Sequence, residues 1–102
     1  MNINLKKQGR DSVVMFLSGG FDINSAIRLE QKIRPFLDGT FDIILDFKNL
    51  NCISSSGLYV LLHAYKSMNM NKRKLVIRNM GEPIRDVLEM TGFIALVREE
   101  RG

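Results

Sequence analysis

The stretch Phe41–Phe47 contains a continuous apolar run, and it is followed after a short polar segment by a second apolar pattern. A run of this kind is typical of a strand covered on both faces, as in a parallel or mixed sheet. The pattern that follows has the i, i+3, i+4, i+7 spacing of an amphipathic helix running to about Met70. Its apolar positions are Leu58, Leu61, Leu62 and Tyr65. A buried strand followed by a crossover helix indicates an α/β fold.

The rest of the chain repeats this alternation. Gly19-Gly20 lacks the spaced glycines of a nucleotide-binding loop, so we predict that it forms a turn that breaks the chain after a strand. Further strands are predicted at Ile3–Lys7, Ser12–Ser18, Lys74–Arg78 and Phe93–Val97. One helix is predicted from an Asn24 or Ser25 cap, with either a kink or an end before Pro35 and with Asp38-Gly39 closing the segment, and another from Glu82 to Gly92. A charged tail follows at Arg98–Gly102. We therefore expect one domain over residues 1–102, a mixed sheet of about five strands with helices packed on it.

Composition narrows the class of protein. The 102 residues suffice for one domain, and no apolar run approaches the ~20 residues that span a bilayer. Cys52 is the one cysteine, which excludes an internal disulfide and makes a cytoplasmic location the default. The net charge of +4 raises nucleic-acid binding as an alternative. However, only Lys72–Lys74 is a contiguous basic run, and its place at a predicted helix end favours a solvated cationic turn.

Catalysis finds little support in the sequence. A serine hydrolase needs a base within hydrogen-bond reach, yet His63 lies seven residues beyond Ser56, roughly 10 Å along one helix. Asp22, Asp42 and Asp46 are the acidic residues that a metal site would use. Because Asp42 and Asp46 bracket one strand, we expect both carboxylates to be solvated. We therefore predict neither an enzyme nor a metal site nor a cofactor.

Three serines, Ser54–Ser56, stand between the buried strand and the helix, and Gly57 follows them. The hydroxyl of Ser54 or Ser55 can cap the helix, and of the two we expect Ser55 to do so. The helix start also favours anions, and a phosphate there would add about −1.5 to −2 charges to a small surface. A structural cap and a regulatory site are both compatible with these residues.

Three motifs resemble the STAS domain of bacterial anti-sigma factor antagonists, and the resemblance covers nearly the whole chain. They read Leu17-x-Gly19-x-Phe21-Asp22-x-x-Ser25-Ala26, Asp46-Phe-x-x-Leu50-x-x-Ile53-x-Ser55-Ser56-Gly57-Leu58 and Pro83-x-x-x-Val87-Leu88-Glu89-x-Thr91-Gly92-Phe93. Two positions depart from the family pattern. Ser54 stands where the family usually has Asp, and Tyr59 stands where a small residue is common.

The resemblance implies a partner-switching protein that regulates transcription. Such a protein binds an anti-sigma factor with an ATPase-like serine kinase fold, is released when that partner phosphorylates it, and is reset by a phosphatase. The resemblance places the phosphate on Ser56, with Ser55 and Ser54 as lesser candidates. The expected partner-binding residues are Asp22, Asn24, Ser54, Ser55, Ser56, Gly57, Leu58 and Tyr59. A monomer or weak dimer without nucleic-acid contact or membrane insertion is expected. The alternative is a STAS adaptor subunit, not phosphorylated, of a lipid or anion transport assembly.

Overall fold

A five-stranded mixed sheet with helices packed against it forms the protein, as the computed structural model shows for residues 1–100. The elements are β1 (Asn2–Gln8), β2 (Ser12–Phe21), α1 (Ile23–Ile33), β3 (Asp42–Ile53), α2 (Ser55–Met70), β4 (Leu75–Arg78), α3 (Glu82–Met90) and β5 (Arg98–Glu100). The sheet order is β1-β2-β3-β4-β5, with β1 antiparallel to β2 and the other neighbours parallel. The predicted α/β class with a five-stranded mixed sheet is confirmed.

The main core lies between one face of the sheet and the helices. Met15, Leu45 and Ile77 from three adjacent strands are fully buried there. Side chains alternate between the two faces of a strand, so Val14, Ile44 and Val76 point to the opposite face. These three form a second, smaller cluster that includes no helix residue. The apolar run of β3 is thus buried on both faces, by helices on one side only.

Strand β2 runs through Gly19-Gly20 to Phe21, so the predicted chain break at the glycine pair is wrong. Its pairing with β3 shifts register between Phe16 and Ser18 and again between Gly19 and Gly20. Gly19 has φ +92°, a conformation that is readily accessible to glycine. The glycines therefore provide a β-bulge inside the ladder, and β2 and β3 both extend further than predicted.

The cap of helix α1 lies two or three residues earlier than the predicted one. Asp22 is its N-cap and accepts a hydrogen bond from the Ser25 backbone N–H at 2.9 Å, so neither Asn24 nor Ser25 caps the helix. Ser25 is instead buried, and its hydroxyl donates to the Gly20 carbonyl oxygen at 3.0 Å. Of the two outcomes expected at Pro35, a kink or an end, the structure has an end: α1 stops at Ile33 and a short 3-10 helix, Arg34–Phe36, follows.

The carboxyl-terminal strand is displaced from its predicted position. Phe93–Ala95 forms a 3-10 turn, because Gly92, which ends α3 as predicted, has φ +78° and redirects the chain. The strand that pairs with β4 is Arg98–Glu100, so the predicted strand at Phe93–Val97 is wrong and most of the predicted tail is strand. The tail's last two positions, 101 and 102, lie outside the described residues. Charged residues form this strand because pairing with β4 satisfies their backbone.

Candidate functional site

Two helices begin side by side at one edge of the sheet. Strands β2 and β3 are parallel and end opposite each other, with Phe21 paired to Ile53. The Ser54 backbone N–H donates to the Phe21 carbonyl oxygen at 2.8 Å. Each strand is followed by a single residue, Asp22 or Ser54, before its helix begins. The predicted partner-binding residues on α1 and on α2 are therefore brought to the same edge.

Ser54 caps α2, and the prediction that Ser55 is the cap is wrong. The Ser54 hydroxyl oxygen accepts a hydrogen bond from the Gly57 backbone N–H at 3.2 Å. Its backbone is extended, φ −89° and ψ 170°, as expected of an N-cap residue. Ser55 is already the first helical residue because β3 continues to Ile53. Aspartate and serine cap helices about equally well, so serine at this position preserves the cap while it removes a charge.

The other two serines occupy the first turn of α2 without capping it. Ser55 is exposed and Ser56 is half-buried. Within residues 1–100, Ser54 is the one of the three whose hydroxyl is held in a hydrogen bond. Ser56 lines a groove that faces α1, whereas Ser55 also lines a second groove on the other side of α2. The three adjacent hydroxyls thus differ in role and direction.

Gly57 allows α2 to approach the sheet closely. A Cβ atom at this position would lie 2.8 Å from Phe21 Cδ1 and 3.0 Å from Ile53 Cγ1. Phe21 is fully buried, so its ring has little room to move. The requirement at this position is steric, and it fixes how deeply the start of α2 sits against the ends of β2 and β3.

Asp22 is exposed, yet it is tied to the first turn of α1. Its carboxylate accepts a hydrogen bond from the Ser25 backbone N–H at 2.9 Å. The Ser25 hydroxyl oxygen also lies 2.9 Å from Asp22 Oδ1, so that its one proton can be donated either to Asp22 or to the Gly20 carbonyl oxygen. These bonds favour the ionised form and hold the pKa of Asp22 below its ordinary value of 3.8. Asn24 is exposed on the same turn. A negative charge is thus fixed beside the start of α2 at neutral pH.

Asp46 is buried, which contradicts the prediction that both carboxylates on β3 are solvated. It is 5% exposed and accepts hydrogen bonds from the Lys48 backbone N–H at 2.9 Å and from Arg78 Nε at 3.1 Å. Asp46 lies inside β3, which continues to Ile53, whereas Asp42 is the first residue of the strand and accepts a hydrogen bond from the Lys74 backbone N–H at 2.9 Å. The two carboxylates stabilise the sheet, and no group of three metal-ligating side chains occurs among residues 1–100.

The buried stripe of α2 is offset from the predicted one. Its most buried positions are Gly57, Val60, Leu61, Ala64 and Met68. Of the predicted inward positions, Leu61 alone is fully buried, and Leu58, Leu62 and Tyr65 are partly exposed on its flank. His63 is exposed, with its ring centroid 4.4 Å from that of Tyr59.

Sequence reasoning missed two exposed isoleucines on α1. Ile23 and Ile27 are 61% and 53% exposed and line the groove that contains Ser56. Both lie one turn apart on the same side of α1, away from its buried residues Ala26, Leu29 and Ile33, and this spacing was the signal available in the sequence. They became interpretable only when the fold placed them opposite the serines.

Comparison with known proteins assigns the family. The sequence profile of the STAS domain matches residues 2–100. The chain belongs to the STAS domain family. An anti-sigma-B factor antagonist of Staphylococcus aureus is 29% identical over 104 aligned positions that cover 100% of this chain and 96% of the relative. A relative of the same name from Staphylococcus epidermidis is 27% identical with the same coverage.

Solved structures share the fold of this STAS domain. The anti-sigma factor antagonist SpoIIAA in its unphosphorylated form superposes with a TM-score of 0.85 at 21% identity, covering 96% of this chain and 87% of that chain. The phosphorylated form of the Bacillus protein SpoIIAA gives a TM-score of 0.79 at 22% identity, covering 96% and 90%. Over the part of the STAS domain that the structure describes, no helix is both long and apolar enough to cross a membrane.

Proposed function

We propose that this STAS domain is an anti-sigma factor antagonist that regulates transcription by partner switching, and that it acts by binding rather than by catalysis. In its unphosphorylated form it binds an anti-sigma factor with an ATPase-like serine kinase fold, in the cytoplasm. That partner phosphorylates Ser56 and is released, and a phosphatase restores the binding form. The names of the curated relatives support the antagonist function.

The observation that carries the proposal is the position of Ser56. Its side chain is half-buried in the first turn of α2, beside a groove and next to the Ser54 cap. A phosphate at the start of a helix is stabilised by the free backbone N–H groups and by the helix dipole. The domain therefore accommodates the modification without refolding. A fold that has been solved in a phosphorylated and an unphosphorylated protein supports this interpretation.

Phosphorylation of Ser56 should weaken the interface with the partner rather than the fold of the domain. About −1.5 to −2 charges would be buried in an interface packed over the start of α2, without a compensating group. A hundredfold loss of affinity requires only about 2.7 kcal/mol, which is modest for an uncompensated interface charge. The fixed carboxylate of Asp22 adds to the negative charge at this edge. Release thus needs no conformational change in the STAS domain.

The test is phosphorylation by the cognate anti-sigma factor with ATP, read by mass spectrometry. We expect a single phosphate on Ser56 in the wild type and in Ser55→Ala, and none in Ser56→Ala. Ser56→Ala should bind the partner constitutively, whereas Ser56→Asp should bind at least about tenfold more weakly, because a charge is then buried at the interface. Absence of phosphate from all three serines, with a kinase that is otherwise active, would exclude the switch and favour an unmodified adaptor role.

A further inference from the structure

The two edges of the sheet differ in how well they are protected against pairing with another strand. An edge strand has unpaired backbone N–H and C=O groups on its outer side, and proteins usually keep such strands short, charged or interrupted. Within residues 1–100, the edge strand β5 has three residues, all of them charged. The opposite edge strand, β1, has seven residues and no proline, and it pairs with β2 without a register shift. Strand β1 is therefore a long, regular edge on which another strand can pair.

The middle of β1 is apolar and partly exposed. Leu5 is 36% exposed, and it lies on the helix side of the sheet because its partner in β2 is the buried core residue Met15. The two cations of the strand, Lys6 and Lys7, lie toward the hairpin. The Lys7 ammonium group is 5.6 Å from the centroid of the Phe41 ring, so its charge is held against the protein's own side chain. Lys6 is thus the cation that a strand pairing with β1 would face.

A second copy of β1 can pair with this edge in one favoured register. Two identical edge strands related by a two-fold axis perpendicular to the sheet are antiparallel, and opposed residues then point to the same face. Such an axis must pass beside a residue that faces its own copy, and near the middle of β1 this residue is Asn4, Leu5 or Lys6. Centring on Leu5 opposes the whole of residues 2–8 in both copies. Centring on either neighbour leaves the residues at one end of each strand unpaired.

Charge selects the same register. Centring on Lys6 would place two lysine side chains directly opposite each other, which is destabilising. Centring on Leu5 places leucine against leucine, and it places each Lys6 against the uncharged Asn4 of the other copy. The corresponding arrangement at β5 would oppose two copies of Glu99, which is already paired with Arg85 of α3. The pattern of residues on β1 is therefore complementary to itself, whereas that on β5 is not.

From this geometry we infer that β1 is a self-association edge, on which a second copy of this chain pairs antiparallel in the register centred on Leu5. The pairing joins two five-stranded sheets into one continuous sheet and covers the exposed Leu5. Because the two-fold axis reverses the strand direction, the two edges that carry Ser56 point away from each other. One strand from each copy forms less than the ~800 Å² per partner of a standard interface, so the dissociation constant of the dimer is on the order of 0.1 mM.

Sedimentation equilibrium of the purified chain, from about 10 µM to about 1 mM, tests the inference. The wild type should change from monomer to dimer over this range. Leu5→Lys should weaken association at least about tenfold, because two lysines are then opposed. Asn4→Glu should strengthen it at least about threefold, because an acidic side chain then faces Lys6 of the other copy. In the register centred on Asn4 the same substitution would oppose two carboxylates and weaken association, so the sign of the change reports the register.

A matched control separates the edge from a general effect of charge. Met90→Lys adds the same charge as Leu5→Lys at an 87% exposed position on α3, and it should associate like the wild type. An unchanged melting temperature shows that each variant folds. A wild type that stays monomeric at about 1 mM, or equal association of Leu5→Lys and the wild type, would show that β1 is not a self-association edge.

Cross-linking tests the register directly. In a Cys52→Ala background, Leu5→Cys should form a disulfide-linked dimer with oxidised glutathione, because directly opposed Cβ atoms lie about 4.5–5.5 Å apart, close to the spacing of a disulfide. Lys7→Cys should not cross-link, because its side chain faces Ile3 of the other copy. Equal cross-linking of the two variants would contradict the register centred on Leu5. These variants leave Ser54–Ser56 unchanged, so the outcome is independent of the proposed function.

Discussion

Replacement of Gly57 by alanine should destabilise the protein, although alanine is the better helix former. Intrinsic helix propensity favours alanine by about 1 kcal/mol in a helix interior. Against this, the new Cβ would lie 2.8 Å from Phe21 Cδ1 and 3.0 Å from Ile53 Cγ1, well inside van der Waals contact. Overpacking of this kind costs about 1–3 kcal/mol, and it falls at the upper end here because Phe21 is fully buried.

We therefore expect Gly57→Ala to lower the free energy of unfolding by about 1–2 kcal/mol after the helix propensity is subtracted. For a domain of this size, the melting temperature should fall by roughly 4–8 °C for each kcal/mol. Urea unfolding followed by circular dichroism measures the change. The matched control is Gly81→Ala, because a Cβ there meets nothing closer than Pro83 Cδ at 3.9 Å. It should cost less than Gly57→Ala.

A double-mutant cycle identifies the clash as the cause. In a Phe21→Leu background the ring is absent, so the penalty for Gly57→Ala should shrink by about 1 kcal/mol. A Gly57→Ala variant as stable as the wild type, or a penalty unchanged in the Phe21→Leu background, would refute the steric reasoning. A stable variant would also show that the start of α2 can move, and with it Ser56.

Further outcomes concern the caps and the buried carboxylate. Ser54→Ala should lower the free energy of unfolding, measured with urea, by about 1 kcal/mol. Ser54→Asp should be as stable as the wild type, because serine and aspartate both cap a helix. Equal stability of the two variants would contradict the assigned cap. Since the pKa of Asp22 is lowered in the folded protein, its ionised form contributes stability above pH 3.8 that is lost as the pH falls through its folded pKa. The free energy of unfolding of the wild type, relative to that of Asp22→Asn, should therefore fall over this pH range. A difference that does not change with pH would show that the hydrogen bonds to Ser25 are absent. Asp46→Ala should lower the free energy of unfolding by about 2–4 kcal/mol, since Arg78, whose side chain is only 17% exposed, loses its partner. A loss below about 1 kcal/mol would show that water replaces the carboxylate.

Much of the fold could be predicted because its signals are local. The apolar run of β3, the alternation in β1 and the proline after α1 each act within a few residues, and the elements they predict are present. The positions that failed depend on distant pairing. Gly19-Gly20 resembles a turn in the sequence, but the neighbouring strand holds it in a bulge. Arg98–Glu100 looks like a polar tail, and β4 makes it a strand.

The candidate site shows the same division. The serine run was recognised from sequence, but which serine caps α2 depends on where β3 ends, and that is set by its pairing with Phe21. Asp46 was expected to be solvated because the sequence does not show that Arg78 lies on the adjacent strand. The four-residue spacing of Ile23 and Ile27 was visible in the sequence, but their place opposite the serines depends on the packing of α1 against α2. For the site, the pairing of strands and the packing of helices against each other had to come from the structure.

The single-residue junctions between β2 and α1 and between β3 and α2 have a consequence for chain length. An α-helix turns by about 100° for each residue, so one inserted residue after Phe21 or Ile53 would rotate the whole helix by that angle. After an insertion behind Ile53, Ser56 would leave the groove between α1 and α2, and after one behind Phe21, Ile23 and Ile27 would leave it, although every side chain was still present. The hairpin turn at residues 9–11 has no such constraint. Insertions and deletions should therefore be tolerated at the hairpin. At the two junctions they should disrupt the site, because the number of residues there sets the direction of the helix side chains.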